Sequence, residues 1–434
     1  MNTVGQLQHL FSGDEENRVC KDIPESACRH QPRNAGLHLV SMTATKIGDG
    51  LLDPKLILPF LLHSVGAPGA AIGMLVPVRE SLALLPQILV SHRVRAMPRR
   101  KWAWAAGSAV EGLAVAGIAL TLAFFDGSLA GWLSVGLLAV FALGRSLASV
   151  SHKDVLGKTV AKTRRGTITG IAGSIGAAVV FAYGAALAFG LLPLERGLLL
   201  IGLAVAAGLW GIAAFVFTLL DEEAGATGGG ENGLSAILSS GRRLWRAPQF
   251  RAFVVARALL TATALAPPYL LLSAGADGGR ALGSLGAFVI ASSVAAVLGS
   301  TVWGTMSDRS SRKVLALSGA LGAVVLAASA AAALFLSPDL WQTAAPFSLF
   351  VLMMAYQGVR LGRKTYLVDM APADDRAIYT AFSNTAIGVV LLVMGAFGLL
   401  AEALGAAAVL IAFALLCAAS VPVALKLDEV QSEA

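Results

Sequence analysis

This sequence is short of charge. Only 14% of its 434 residues are Asp, Glu, Lys or Arg, while 56% are hydrophobic. Mean hydropathy is +0.73, far from the soluble globular norm. Such a chain cannot cover its apolar side chains with a solvated surface, which excludes an ordinary soluble domain. A phosphate-binding loop is also missing: GATGGGENG (225–233) lacks the Lys-Ser/Thr ending that would hold phosphates, which argues against ATP drive. The chain has no HExxH, no GxSxG and no His/Asp cluster at ligand spacing, with His63 alone near a helix end, so an enzyme is not expected. Cysteine is scarce as well, at three residues. Cys20 and Cys28 have seven residues between them, outside the usual zinc spacing, and His30 alone does not complete a site. Cys417 falls in an apolar run and should pack there. No metal or cofactor is expected. Aromatics, at 7%, give little toward sugar stacking or drug binding.

What is abundant is long apolar runs. Stretches of about 18 or more mostly apolar residues are long enough to cross about 30 Å of hydrocarbon. Unpaired backbone groups are too costly in lipid, so these runs should be helices. We place them at 38–63, 69–91, 102–124, 128–150, 167–190, 194–219, 250–273, 282–304, 313–336, 342–361, 377–400 and 403–426. The expectation is an all-α polytopic membrane protein of twelve helices. Residues 1–37 carry GDEE, KDIPES and RHQPRN with no basic stretch running straight into an apolar one, so they read as a cytosolic tail and not a signal peptide.

The few charges are distributed unevenly. Arg93, Arg95, Arg99, Arg100 and Lys101 follow the second helix, and Lys153, Lys158, Lys162, Arg164 and Arg165 follow the fourth. Connections of the same parity hold Arg242, Arg243 and Arg246, then Arg309, Arg312 and Lys313, then Arg363, Lys364 and Arg376. The opposite set offers Arg196 and Arg280. This asymmetry over short loops places the basic side, with both termini, in the cytoplasm. The net charge of +7 therefore reports membrane orientation, and no nucleic-acid partner is expected.

The longest interior break, 221–250, reads as a flexible linker ending in a basic, Trp-containing stretch. It divides the runs six and six, into units at 38–219 and 250–426 with a linker at 220–249 and a cytosolic tail at 427–434. The halves echo one another. RRK at 99–101 matches SRK at 311–313 at an offset of 212, and Lys153 falls on Lys364, and Arg165 on Arg376, at 211. Equal helix counts and these echoes favour a duplicated unit.

One short stretch makes the reading specific. GTMSDRSSRK (304–313) resembles the signature loop of the major facilitator superfamily, G-x-x-x-D-R-x-x-R-[KR], at Gly304, Asp308, Arg309, Arg312 and Lys313. The resemblance extends over about 38–426. It implies two pseudo-symmetric six-helix bundles facing a central cavity, alternating access by rocking of the halves, and a gating role for those five residues. The first copy, HRVRAMPRRK (92–101), keeps Arg99, Arg100 and Lys101 but has His92 and Ala96 in place of the glycine and the acid. The acid-centred latch is therefore not expected on that side. Arg145, in FALGRSLASVS, partly matches an arginine of the family's fourth helix, although serines and an alanine follow it here instead of glycines; it is grouped with the gate. LVPVRESLALLPQ resembles a signature of one bacterial subgroup. SHKDVLGKTVAKTRRG and GRKTYLVDMAPADDRAIYTAFSNT, at corresponding places in the halves, could supply ion pairs between the bundles, or be solvated loop faces.

Charges inside apolar runs are expensive and usually face a cavity or a partner. Lys46, Asp49 and Asp53 are spaced to share one face of the first helix, among Gly48, Gly50 and Pro54, which loosen it. The alternative starts the span near Leu51 and leaves them at the headgroups. Arg79 and Glu80 sit near the centre of the second helix, where adjacent side chains point about 100° apart and do not obviously pair. Glu111 in the third helix is one partner for Arg79, and a static salt bridge competes with a role in substrate or proton coupling. Burial can raise a carboxylate's pKa toward the working pH, which suits proton coupling. The leading expectation is a secondary transporter of a small solute in the bacterial cytoplasmic membrane, acting as a monomer among its lipids. A non-transporting receptor or assembly protein on the same scaffold is the alternative. A membrane-embedded enzyme has little support.

Overall fold

The computed structural model describes residues 25–192, 195–225, 227, 241, 244–275, 281–372 and 376–431, and among these every regular element is a helix. They form twelve rods. In the first half, α1 comprises Glu25–Leu52 and Ile57–Ser64, and α2 comprises Gly69–Leu84 and Gln87–Arg95. They are followed by α3 (Lys101–Phe124), α4 (Gly127–Thr159), α5 (Lys162–Ala188) and α6 (Arg196–Thr218). In the second half, α7 is built from Pro248–Leu260, Ala262–Leu265 and Pro267–Ser273. Then come α8 (Ala281–Arg309), α9 (Ser311–Phe335), α10 (Pro338–Met370), α11 (Arg376–Met394 and Phe397–Leu404) and α12 (Ala406–Leu425). Among the described residues, ten rods are long and apolar enough to cross a membrane. The other two are α1 and α2, whose runs are cut by breaks and charges.

The breaks have local causes. Pro54 has no N–H and pushes the preceding residue away from helical geometry. Asp53 makes good the loss: its carboxylate accepts from Lys55 N at 2.8 Å, and its carbonyl from Leu56 N at 3.3 Å and Leu58 N at 3.1 Å. α2 is interrupted at Leu85 and Pro86, both of which keep near-helical dihedrals.

Three helices outrun the apolar stretches that announced them. α1 is already helical at Glu25 and not first at residue 38, and α4 and α10 continue to Thr159 and Met370. The early part of α1 is held by buried polar side chains. Asn34 pairs both ways with the backbone of Asp221 at 3.0 Å, Gln31 accepts from Ala161 N at 2.9 Å, and His38 meets Thr159 at 2.9 Å. Cys28 is disulfide-bonded, which takes its thiol out of metal ligation; Cys20 lies outside the described residues, as does most of the expected linker. Cys417 is buried and free, packed as expected.

Neighbour relations repeat six helices on. The pairs α1 with α6, α2 with α4, α3 with α4 and α3 with α6 recur as α7 with α12, α8 with α10, α9 with α10 and α9 with α12. The seam between the halves is made by α2 against α11 and α5 against α8, two contacts that exchange under the same shift. The molecule is therefore two pseudo-symmetric bundles of six.

Glycine sets how tightly the seam closes. A Cβ on Gly73 of α2 would lie 2.5 Å from Gly398 Cα of α11, and one on Gly398 would lie 2.9 Å from Gly69 O. On the other side, a Cβ on Gly184 of α5 would lie 2.7 Å from Val289 of α8, and one on Gly286 would meet Gly184 O at 2.7 Å. All four positions lie toward the end of the bundle away from the basic loops. Toward the basic end of the same helices, Gly166, Gly170, Gly173 and Gly304 would meet nothing within 4 Å. On the α5–α8 side the halves touch at one end and make no such approach at the other, whereas on the α2–α11 side the contact runs on to Gly388, where a Cβ would meet Leu85 at 2.7 Å.

Candidate functional site

The first half carries a chain of alternating charges over four helices. Asp49 of α1 sits between two arginines, accepting from Arg145 of α4 and, at 3.4 Å, from Arg79 of α2. The other arm of Arg79 donates to Glu80 at 2.6 Å. Arg145 Nε lies 2.6 Å from Glu111 Oε1 of α3. Four of the five side chains are between 22% and 26% exposed, whereas Glu111 is 1% exposed and lies behind Arg145. The order is thus Glu80, Arg79, Asp49, Arg145, Glu111, running from an accessible edge into the bundle.

The backbone makes room for this. A Cβ on Gly107 would meet Gly144 O at 2.7 Å, and one on Gly144 would press on Glu111 Cγ at 3.2 Å. α3 and α4 therefore cross on small residues, and the crossing brings Arg145 and Glu111 together. Gly48 similarly lies under the Trp210 ring of α6, where a Cβ would be 3.1 Å away. Arg145 also sits over Phe141, 5.4 Å from the ring centre.

Several expectations change here. Arg79 and Glu80 do pair, because a long guanidinium can fold back across the angle between neighbouring positions. Glu111 pairs with Arg145 and not with Arg79. Arg145 belongs to the centre of the charged chain and not to a gate. Asp53 caps the break in α1, so the three-and-four spacing did not make it part of the chain. Lys46 is exposed beside the chain, within electrostatic reach of Asp49, Arg145, Arg79 and, from the second half, Arg360.

The second half faces this chain with residues the sequence reading passed over. Lys55 Nζ from the α1 break lies 3.7 Å from the ring centre of Tyr356 on α10. Arg257 of α7 is 6% exposed. It donates to Ser383 Oγ at 2.7 Å and Asn384 Oδ1 at 2.9 Å, both on α11. One signal was available: Arg257 follows Lys46 by 211 residues, the spacing of the Lys153/Lys364 echo. Among the described residues no group of His, Cys, Asp and Glu could hold a metal ion.

The signature loop is arranged differently from the expectation. Gly304 approaches no neighbour; α8 makes its close contacts at Gly286 and at Gly299, where a Cβ would meet Gln357 at 2.7 Å. Asp308, Arg309 and Lys313 are exposed. Arg312 pairs with Glu429 at 3.0 Å and donates to Leu427 O at 2.9 Å, both in the segment after α12. Ser310 donates to Glu429 at 2.6 Å.

The first copy, judged degraded, is the more fully engaged of the two. Buried Arg100 pairs with Asp154 of α4. Glu222, just past α6, accepts from Arg100 N at 3.0 Å and Lys101 N at 2.7 Å, and pairs with Lys158 at 3.1 Å. The acid missing at Ala96 is thus supplied from elsewhere in the chain. Each of these ion pairs lies within one half.

No family model matches the chain, and no curated protein matches it. Solved structures do. The fold is the one those structures share. A single-substitution mutant of the nucleoside transporter NupG is similar at a TM-score of 0.72 and 13% identity, over 91% of this chain and 100% of that one. Unsubstituted NupG is similar at 0.66 and 14%, over 91% and 100%. A POT family transporter in complex with 5-aminolevulinic acid is similar at 0.66 and 13%, over 94% and 98%.

Proposed function

We propose that the protein is a secondary transporter that moves a small solute across the bacterial cytoplasmic membrane by alternating access, with protons as the coupling ion. The observation that carries this reading is the half-accessible charged chain Glu80–Arg79–Asp49–Arg145–Glu111, lying in the first of two pseudo-symmetric bundles that close at one end and, on the α5–α8 side, part at the other. Charges inside apolar helices are expensive, and a chain of them beside an opening serves a polar cargo better than it serves packing. The similar solved structures are of nucleoside and POT family transporters, in keeping with a small polar cargo.

Under this reading the basic end and both termini are cytosolic, and the conformation described is inward-facing. The rocking units are 38–219 and 250–426, joined by 220–249, with the early turns of α1 reaching into the 1–37 segment and, of the 427–434 tail, residues 427–431 docked on α9. One chain suffices, and the exposed cations Arg309 and Lys313 face anionic headgroups. Asp308, exposed here, engages only when the basic end shuts.

The test is a solute screen in proteoliposomes under an imposed pH gradient, read by solute flux and internal pH. Gradient-driven accumulation of a solute with a matching pH change supports the proposal. A protein that binds solutes without moving any would overturn it in favour of a receptor.

A further inference from the structure

We infer that Arg257 is the core of an anion-binding site in the second half, which takes the carboxylate or phosphate group of the transported solute. The inference deepens the transport reading and rests on it for the word "transported"; the site itself rests on geometry. Arg257 is 94% buried, from a relative exposure of 6%, yet its described partners are the neutral Ser383 Oγ and Asn384 Oδ1. Its Nε has no hydrogen-bond partner. The charged group that acts on it is a second arginine, Arg363 of α10, which is half-buried. Among the described residues neither guanidinium has a carboxylate within ion-pair distance.

A buried guanidinium without a counter-charge, with a like charge as neighbour, is costly to keep. The first half shows how the chain balances cations when it does so internally: Arg79 and Arg145 are shared among three carboxylates. The second half offers no such acid to Arg257 among the described residues, whereas Arg363 lies within electrostatic reach of Glu80 of α2. The position of Arg257 also fits a cavity role. Arg257 follows Lys46 by the repeat spacing of 211 residues, and Lys46 is exposed and within electrostatic reach of Arg360 of the second half. Planar guanidinium forks match carboxylate and phosphate geometry, and an Nε without a partner beside an engaged terminal pair leaves one donor unspent for such a group.

The experiment is thermal unfolding of the purified protein with four probes: inorganic phosphate, succinate, succinamide as the neutral counterpart of succinate, and vesicles containing phosphatidylglycerol. Succinate or phosphate should raise the melting temperature saturably by about 2 °C or more, and succinamide should not. In Arg257→Gln the apparent affinity for that anion should fall at least about tenfold. Without added anion, Arg257→Gln should melt at or above the parent temperature, because the uncompensated charge is gone. A parent protein unmoved by both free anions, or an anion shift equal in Arg257→Gln, would overturn the site. So would a shift given by phosphatidylglycerol vesicles and by neither free anion, which would assign the arginines to lipid. A drop in melting temperature of unliganded Arg257→Gln would overturn it in favour of a structural arginine. Anion binding that depends on Arg257 without solute flux would leave the site standing and remove the transport reading; flux of an anion unaffected by Arg257→Gln would do the reverse.

Discussion

Arg145 is the side chain on which the charged chain turns. It holds Asp49 on one arm and Glu111 on another, so its loss strands the buried Glu111 and leaves Asp49 only its 3.4 Å contact with Arg79. Breaking a buried pair from one side costs about 3–5 kcal/mol, and with Arg145 part-exposed we expect the lower end for Arg145→Gln. Arg79→Gln should cost less, since Asp49 keeps Arg145 and Glu80 reaches solvent. Adding Glu111→Gln to Arg145→Gln should recover part of the loss, because the stranded charge is removed. Melting temperatures of the parent, of Arg145→Gln, Arg79→Gln and Glu111→Gln, and of the double mutant check this, and strict additivity in the double mutant would contradict the pairing. Function makes a separate demand on the acids. All five members belong to the first half, so rigid rocking of the halves leaves their pairs intact, and a proton switch must act within the bundle. The 3.4 Å link between Arg79 and Asp49 is the longest in the chain and the natural place for it. Asp49→Asn, Glu80→Gln and Glu111→Gln should therefore not all keep gradient-driven accumulation. If all three keep it in proteoliposomes, the chain does not couple transport to protons.

At the scale of the element, the glycines of the seam give the clearest contrast. A Cβ on Gly398 would meet backbone, Gly69 O at 2.9 Å and Ala70 Cα at 3.0 Å, and backbone cannot swing aside. Gly398→Val should destabilise this conformation by about 1–3 kcal/mol and lower the melting temperature. Gly304→Ala should leave it unchanged or raised, since nothing lies within 4 Å and alanine favours a helix interior. The reverse order in thermal unfolding would place the close crossing on α8's signature loop after all. Apolar run length made most of the twelve helices legible, because lipid forces helix on any run of that length. Pro54 marked the break in α1 for the same local reason. The early turns of α1 were hidden, since RHQPRN is polar and its partners at Thr159, Ala161 and Asp221 lie more than a hundred residues away. Site residues divided likewise. Residue type flagged Asp49, Arg79, Glu80 and Glu111 as costly in lipid, but which acid meets which arginine depends on the Gly107–Gly144 crossing, which no local pattern encodes. Glu222 and Glu429 carry no local signal, because each meets the N-terminus of α3 or α9 only through contacts more than a hundred residues apart in sequence.

For the whole molecule, the account is one of two bundles rocking about the charged seam. Asp308 is exposed and makes no ion pair among the described residues while α5 and α8 are apart at the basic end. Its partner must come with closure, so Asp308→Asn should slow flux by shifting the balance of states by about 1–3 kcal/mol while leaving the melting temperature near that of the parent. An equal flux per folded molecule would contradict the gating role. The most direct test of the rocking itself is a pair of distance distributions from spin labels in liposomes, one pair at Thr163 and Thr305 on the basic end of α5 and α8, the other at Ser64 and Leu404 on the opposite end. The account predicts two populations at each end, anticorrelated, so that a condition or substitution that shortens Thr163–Thr305 lengthens Ser64–Leu404, with Asp308→Asn weighted toward the long basic-end distance. A single distance at each end, unmoved by pH, by an imposed solute gradient and by Asp308→Asn, would contradict alternating access.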